Sequence, residues 1–290
     1  MLGDIKANVS TRADGETGVE AHGREVRMPD GTFRNHTVLV TGGSRGIGRE
    51  IALQLAGERA RVALMARSRA DLETTAAECR LEGARVLIVP GDVGQEADCA
   101  AAVRSTHSEF GSLDMLIANA GISMLSAFED LEDLEPLERV MRVNYLGAVY
   151  CTRHALPHLI ASQGRIAAVS SLTGLTGVPT RTGYAASKHA MRGFFDSLRI
   201  EVRRHGVSVT VAYPGFVDTG IRERAIGEGA GRGSGRTMSA QECANRILDA
   251  AAHRRREIVM TGKGQLGRWL KLVAPGVVDR IAARSVGFSG

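Results

Sequence analysis

The chain has 290 residues, 43% hydrophobic and 24% charged, with a net charge of +5; these are the fractions of a soluble globular protein, and the length suits one α/β domain with additions. No apolar run approaches the ~20 residues needed to span a bilayer, and Cys79, Cys99, Cys151 and Cys243 stand singly, without the spacing of a zinc site or a disulfide framework. Residues 253–290 carry eight Lys/Arg against Glu257 and Asp279, which leaves residues 1–252 at −1, so the basicity belongs to the tail and the body needs no nucleic-acid partner.

In chain order, residues 1–34 are polar and charged in both signs, with no apolar h-region, and read as a flexible N-terminal extension. Short aliphatic runs follow at 37–41, 61–66, 85–89, 115–118, 164–170, 208–213 and 257–260. Several are apolar on consecutive residues, as strands buried on both faces are. Helical stretches separate them at 46–57, 69–82, 95–110, 136–158, 183–205 and 239–253. This alternation predicts a single α/β domain over 35–262, a Rossmann-type doubly wound fold with a seven-stranded parallel sheet flanked by helices. The segment 227–235 (GEGAGRGSG) is flexible by composition. Residues 263–290 form a basic amphipathic tail.

The first strand runs into Gly42-Gly43-Ser44-Arg45-Gly46-Ile47-Gly48 and then a helix. Glycines in that position admit a tight turn and the approach of a pyrophosphate to backbone N–H groups at a helix N-terminus. The spacing departs from GxGxxG, and a tight βα turn without a ligand is the structural alternative; its place after the first strand favours a dinucleotide. The second strand ends Leu64-Met65-Ala66-Arg67, without the carboxylate that would bond an adenosine 2′-hydroxyl. Arg67 and Arg45 instead suit a 2′-phosphate, which points to NADP(H); the alternative is two solvated surface arginines. Asp92, in Gly91-Asp92-Val93 after the third strand, can accept from an adenine amino group or cap the helix that follows.

Tyr184 and Lys188 lie four apart at the start of a helical run, so their side chains share a face. A phenol of ordinary pKa near 10 is a poor acid–base group at neutral pH, and a neighbouring ammonium lowers it. The pair is a plausible proton donor and acceptor for an alcohol/carbonyl couple. By itself it is also a common surface-helix pattern.

With Thr41 to Gly48, Asn119-Ala120-Gly121, Asn144, Ser170-Ser171 thirteen residues before Tyr184, Tyr184-xxx-Lys188 and Pro214-Gly215-xxx-Thr219 in this order, the chain resembles the short-chain dehydrogenase/reductase family over nearly all of 36–262. The resemblance implies that Ser171 polarises the substrate oxygen, Tyr184 exchanges its proton, and Lys188 holds the nicotinamide ribose. Asn144 would anchor a water linking Lys188 to solvent. Asn119, Ala120, Gly121, Val93, Pro214, Gly215, Val217 and Thr219 would line the cofactor, alongside Tyr184 and Lys188. It further implies a homodimer or homotetramer. Ser170-Ser171-Leu172, Ser187 and Gly193-Phe194-Phe195 look like the hydroxysteroid and retinol dehydrogenase branches, which implies a hydrophobic carbonyl or alcohol substrate.

Residues 219–238 are expected to form a lid over that substrate. In the tail, Leu266, Trp269, Leu270, Val273, Val277 and Ile281 recur near helical spacing beside Arg268, Lys271, Arg280 and Arg284, with Pro275 interrupting. Such a stripe either packs on its own domain, closes a subunit interface or meets an anionic membrane surface. The expected place is the cytoplasm, with peripheral membrane contact through the tail in the last case. Two other activities fit the same scaffold: epimerisation or dehydration of a nucleotide sugar, and non-catalytic NADP(H) binding by a regulator.

Overall fold

The computed structural model describes residues 31–221, 224–227 and 237–287. Seven strands form one parallel sheet in the order β3-β2-β1-β4-β5-β6-β7. They are β1 Thr37–Thr41, β2 Arg61–Ala66, β3 Arg85–Pro90, β4 Met115–Ala118, β5 Arg165–Val169, β6 Ser208–Tyr213 and β7 Glu257–Val259. The consecutive apolar residues of β1 are explained by its central position. Leu39 joins the core beneath α3 Glu96–Phe110, α5 Gly147–Ala161 and α6 Thr182–Val202, while Val38 and Val40 join the opposite core beneath α1 Gly46–Gly57, α2 Arg69–Leu81 and α7 Ala240–Ala252. A strand covered on both faces has no polar side to offer.

Local chemistry sets the helix ends. Ser68 accepts from the Asp71 N–H at the start of α2, and Ser239 accepts from the Glu242 N–H at 3.0 Å at the start of α7, each satisfying one of the first-turn donors that a helix leaves unpaired. The sheet order reverses between β1 and β4, whose carboxyl ends open the crevice where such folds bind ligands.

Three expectations change. The single helix over 136–158 is divided into α4 Glu135–Met141, a π-helical turn over Arg142–Leu146, and α5. The wider turn carries Asn144, and π-turns interrupt α-helices often at functional sites. Next, the extension expected over 1–34 ends earlier. Phe33 is fully buried, and its N–H donates to Glu58 Oε2 at 2.7 Å; burying a phenylalanine contributes about 1.5–3 kcal/mol, which holds 31–34 to the domain. Residues 1–30 and most of the glycine-rich segment, 228–235, lie outside the described residues. Last, the tail is two helices, α8 Gly262–Val273 and α9 Pro275–Ser285, with Pro275 opening the second, where its missing N–H costs nothing.

Candidate active site

The glycine turn is held from below. Thr41 at the end of β1 donates its hydroxyl to the Ile117 carbonyl at 3.1 Å and accepts from the Asn119 and Ala120 N–H groups at 3.0 and 3.1 Å. The Asn119 amide donates to the carbonyls of Thr41 and Gly42 at 3.0 and 3.3 Å. Asn119 therefore fixes the shape of the turn, and Ala120 and Gly121 continue along its edge. A Cβ on Gly48 would lie 2.2 Å from the Gly42 oxygen, and Gly42 itself has φ 66°, so both positions need glycine.

A dinucleotide fits this cradle. The residue preceding α1, Arg45, makes no side-chain cap, and the first turn of α1 holds no acidic residue, which leaves the helix's N-terminal N–H groups open to an anion. Gly42, Ser44, Gly46 and Ile47 line that end of the turn. Thr219 packs against Gly46, where an added Cβ would meet its Cβ at 3.0 Å. The segment Pro214 to Thr219 thus closes the cradle from the opposite side, pinned by a bridge between Val217 and Met238.

At the adenosine end the two arginines differ. Arg67 is exposed and has no ion-pair partner among the described residues, whereas Arg45 is paired with Asp71 on α2. Asp71 is therefore a neighbour that any 2′-phosphate must displace or share. Asp92 does not cap α3: that helix starts after Gln95, and the Asp92 carboxylate accepts from the Gly94 N–H at 2.9 Å, shaping its own turn. A Cβ added to Gly147 would come within 2.9 Å of Val93, so the loop is packed onto α5.

The reactive end is a buried network. Asn144 is fully buried; its amide oxygen accepts from the Ile122 N–H at 2.8 Å, and its nitrogen donates to the Ile122 carbonyl and the Ser187 hydroxyl, both at 3.0 Å. Ser187 in turn donates to the Tyr184 carbonyl at 2.8 Å. Lys188 donates to the Val169 carbonyl at 2.9 Å, and its ammonium lies 5.8 Å from the centre of the Tyr184 ring. Gly121 lies against this pair, since a Cβ there would be 3.1 Å from Asn144 Oδ1 and 3.6 Å from Lys188 Nζ. Ser171 faces the same cleft as Tyr184 and accepts from the Thr173 N–H at 3.2 Å. Ser170 turns the other way, donating to the Lys188 carbonyl at 3.2 Å, as expected of neighbours on an extended strand.

The electrostatics depart from the simple picture of a lysine tuning a tyrosine. Burial is the largest influence on Tyr184 and raises its pKa; the Ser171 hydroxyl and the Arg181 guanidinium lower it in opposition. Burial also brings the Lys188 ammonium down to about 8. With the lysine turned toward Val169, the groups that favour the phenolate are Ser171 and Arg181. Arg181 gave no signal in the sequence, being one arginine ahead of a helix, yet it is 7% exposed and a buried cation needs a reason. Thr41, Ser187 and Asp71 were also illegible as contributors, because their roles depend on partners 3 to 79 residues away.

Tyr184, Ser171 and Lys188 open on a cleft of about 1780 Å³, walled by Leu172, Leu175, Pro214 to Val217 and Thr219, and roofed by α8 and α9. The expected lid is described in part: Ile226 bridges to Met124, its N–H donating to the Ser123 carbonyl at 2.9 Å.

A phenol poised beside a hydroxyl, above a cradle for a dinucleotide's phosphates, defines an oxidoreductase built on a doubly wound sheet. The chain belongs to the short-chain dehydrogenase/reductase family, whose short chain dehydrogenase pattern matches residues 36–228. It is 36% identical over 241 residues to 11-beta-hydroxysteroid dehydrogenase-like 4A of Arabidopsis thaliana, covering 82% of this chain and 80% of that protein. Dehydrogenase/reductase SDR family protein 7-like of Dictyostelium discoideum is 33% identical over 260 residues, 87% of this chain and 82% of that one. The mouse (Mus musculus) Dehydrogenase/reductase SDR family member 7B is 33% identical over 265 residues, covering 87% and 81%. Like them, the chain is an oxidoreductase acting between CH–OH and C=O, with an NAD(P)(H) cofactor.

Proposed function

We propose that the chain interconverts a hydrophobic alcohol, of steroid-like size and polarity, with its ketone or aldehyde, and that it prefers NADP(H). Tyr184 and Ser171 side by side on a cleft whose wall mixes apolar residues such as Leu172, Leu175 and Val178 with polar ones carry this reading. Two relatives' names, both of the hydroxysteroid dehydrogenase-like kind, support the substrate class. An exposed Arg67 after β2, with no carboxylate at the strand end, supports the 2′-phosphate.

When bound, the nicotinamide supplies the hydride for reduction or accepts it in oxidation. Ser171 holds the substrate oxygen. Tyr184 donates its proton to that oxygen during reduction and removes it during oxidation, so the two directions differ only in its starting protonation state. Lys188 positions the ribose and, at about 8, exchanges protons near neutral pH. Asn144 would hold the water through which those protons leave. A homodimer or homotetramer remains the proposed assembly.

The test follows oxidation of NADPH and NADH against steroids, retinoids, aliphatic aldehydes and quinones. Tyr184→Phe should lower kcat by about 10²- to 10⁴-fold while NADPH affinity changes little; substantial residual turnover would remove Tyr184 as the proton donor. Arg67→Asp should abolish the preference for NADPH, and an unchanged preference would remove Arg67 from the 2′-phosphate site. Tight NADPH binding with no turnover on any carbonyl would make the chain a regulator.

A further inference from the structure

Helix α8 is turned inside out. Two of its three cations face the protein: Arg268 pairs with Glu257, and Lys271 donates to the Leu175 carbonyl at 3.1 Å. Its apolar residues face solvent, with Leu266, Trp269, Leu272 and Val273 exposed at 68, 62, 73 and 81%. On α9, Val278 turns inward, Val277 stays exposed, and Ile281, also exposed, reaches the edge of the cleft. A contiguous apolar face of this kind on a water-soluble surface marks a site of association.

We propose that the α8–α9 hairpin is a docking surface for an anionic lipid bilayer, lying in the interface above the mouth of the cleft. Charge selects this occupant. Lys263, Arg280 and Arg284 rim the face, exposed and without a carboxylate partner among the described residues, and Asp279 is the rim's acidic residue. Against anionic headgroups these cations attract, whereas in a two-fold contact with a second copy the same rim would meet itself. Length excludes crossing: α8 has 12 residues and α9 has 11, about 18 Å and 17 Å at 1.5 Å per residue, and no described helix is long and apolar enough to span a membrane. The geometry is that of a helix lying in the interface with its apolar face in the acyl boundary. The other side of the hairpin, through Gly267, Val278 and Ala282, walls the cleft, so a molecule dissolved in the bilayer would meet the roof first. The surface stands whichever substrate the enzyme uses.

Trp269 is the only tryptophan of the chain, which makes its emission a direct reporter. The full chain is mixed with phosphatidylcholine vesicles and with phosphatidylcholine/phosphatidylserine vesicles, and sedimentation and Trp269 emission are read together. The expected result is a blue shift and co-sedimentation with the anionic vesicles, weaker in high salt and absent or slight with phosphatidylcholine alone. The triple variant Leu266→Ser, Leu272→Ser, Val273→Ser should lose at least about tenfold in partitioning, and Arg280→Glu with Arg284→Glu should remove the preference for phosphatidylserine. Both should keep the wild-type circular dichroism melt and NADPH binding, since these side chains point away from the cleft. Unshifted emission with the protein left in the supernatant would overturn the proposal. So would emission already blue-shifted without lipid that moves to the red on dilution as light scattering reports dissociation, because the face would then be covered by a second copy.

Discussion

The floor and the roof of the cleft are built by opposite rules. On the floor, Thr41, Asn119, Asn144, Ser187 and Lys188 are tied by short hydrogen bonds, and Asn144, Ser187 and Lys188 are buried. On the roof, α8 and α9 are held by the Arg268–Glu257 ion pair, by the bonds of Lys271 and Gln265 to the Leu175 and Val259 carbonyls and by apolar contacts such as that of buried Val278, and most of their large side chains face outward. Polar groups that are largely withdrawn from water and satisfied by fixed backbone and side-chain partners hold their geometry and tolerate little change. A surface held loosely can open, admit and release. Position and access are thus divided between regions with different mechanical character.

The largest expected contrast uses two helical glycines. Gly48→Ala would drive a Cβ to 2.2 Å from the Gly42 oxygen and 2.6 Å from Asn119 Nδ2, while Gly267→Ala meets nothing within 4 Å. The first should cost on the order of 3 kcal/mol of stability and abolish cofactor binding; the second should be neutral or add up to ~1 kcal/mol. Equal chemical-denaturation midpoints for the two variants would erase the distinction between floor and roof. Thr41→Val comes next. It leaves the part-buried Ala120 N–H without its acceptor, while the Asn119 N–H and the Ile117 carbonyl keep each other at 3.1 Å, for a loss of about 1–3 kcal/mol and weaker NADPH binding by titration; an unchanged midpoint would show that the hub is dispensable.

A smaller effect is a pH dependence belonging to the floor alone. Lys188 is brought down to about 8 in the folded protein, so between about 8 and 10 the unfolded chain binds more protons there than the native one. Stability should rise with pH across that window, as the burden of a buried ammonium is relieved. Above about 10 the raised Tyr184 opposes the trend. Comparing wild type with Lys188→Met by urea unfolding at several pH values isolates the lysine; the slope should flatten in the variant. The smallest effect is on the acid side, far from both regions. His158, on α5, is lowered by burial and by His107, whose ring centre is 4.3 Å away. Its folded pKa lies below the unfolded value, so stability should be lost as pH falls through about 6.5, and His107→Asn should lessen that loss.

Much of the floor was legible because its residues carry local signatures. Strands β1, β2, β4 and β6 have the limits that their aliphatic runs predict, because strands buried on both faces are written in consecutive apolar residues. The division of 136–158 was not legible. A π turn preserves the apolar periodicity on either side and changes only where Asn144 points, which its contact with Ile122 decides. The stripe on α8 was visible, but not its direction. That depends on Glu257 and the Leu175 carbonyl being placed to take Arg268 and Lys271, partners 11 and 96 residues away. Arg45 and Arg67 read alike in sequence, and only the fold sets Asp71 beside one of them.

The sheet order also sets a sequence of events in time. Strands β1, β2 and β3 pair among themselves, so during synthesis, at about 5–20 residues per second, this trio can assemble before β4 leaves the ribosome. Strand β1 then keeps one edge unpaired until Met115–Ala118 arrives to close it, and each later strand adds to that same growing edge. The hairpin that roofs the cleft follows all seven strands. A nascent chain can therefore assemble its catalytic floor while the entrance still stands open, with α8 and α9 added to an interior already formed.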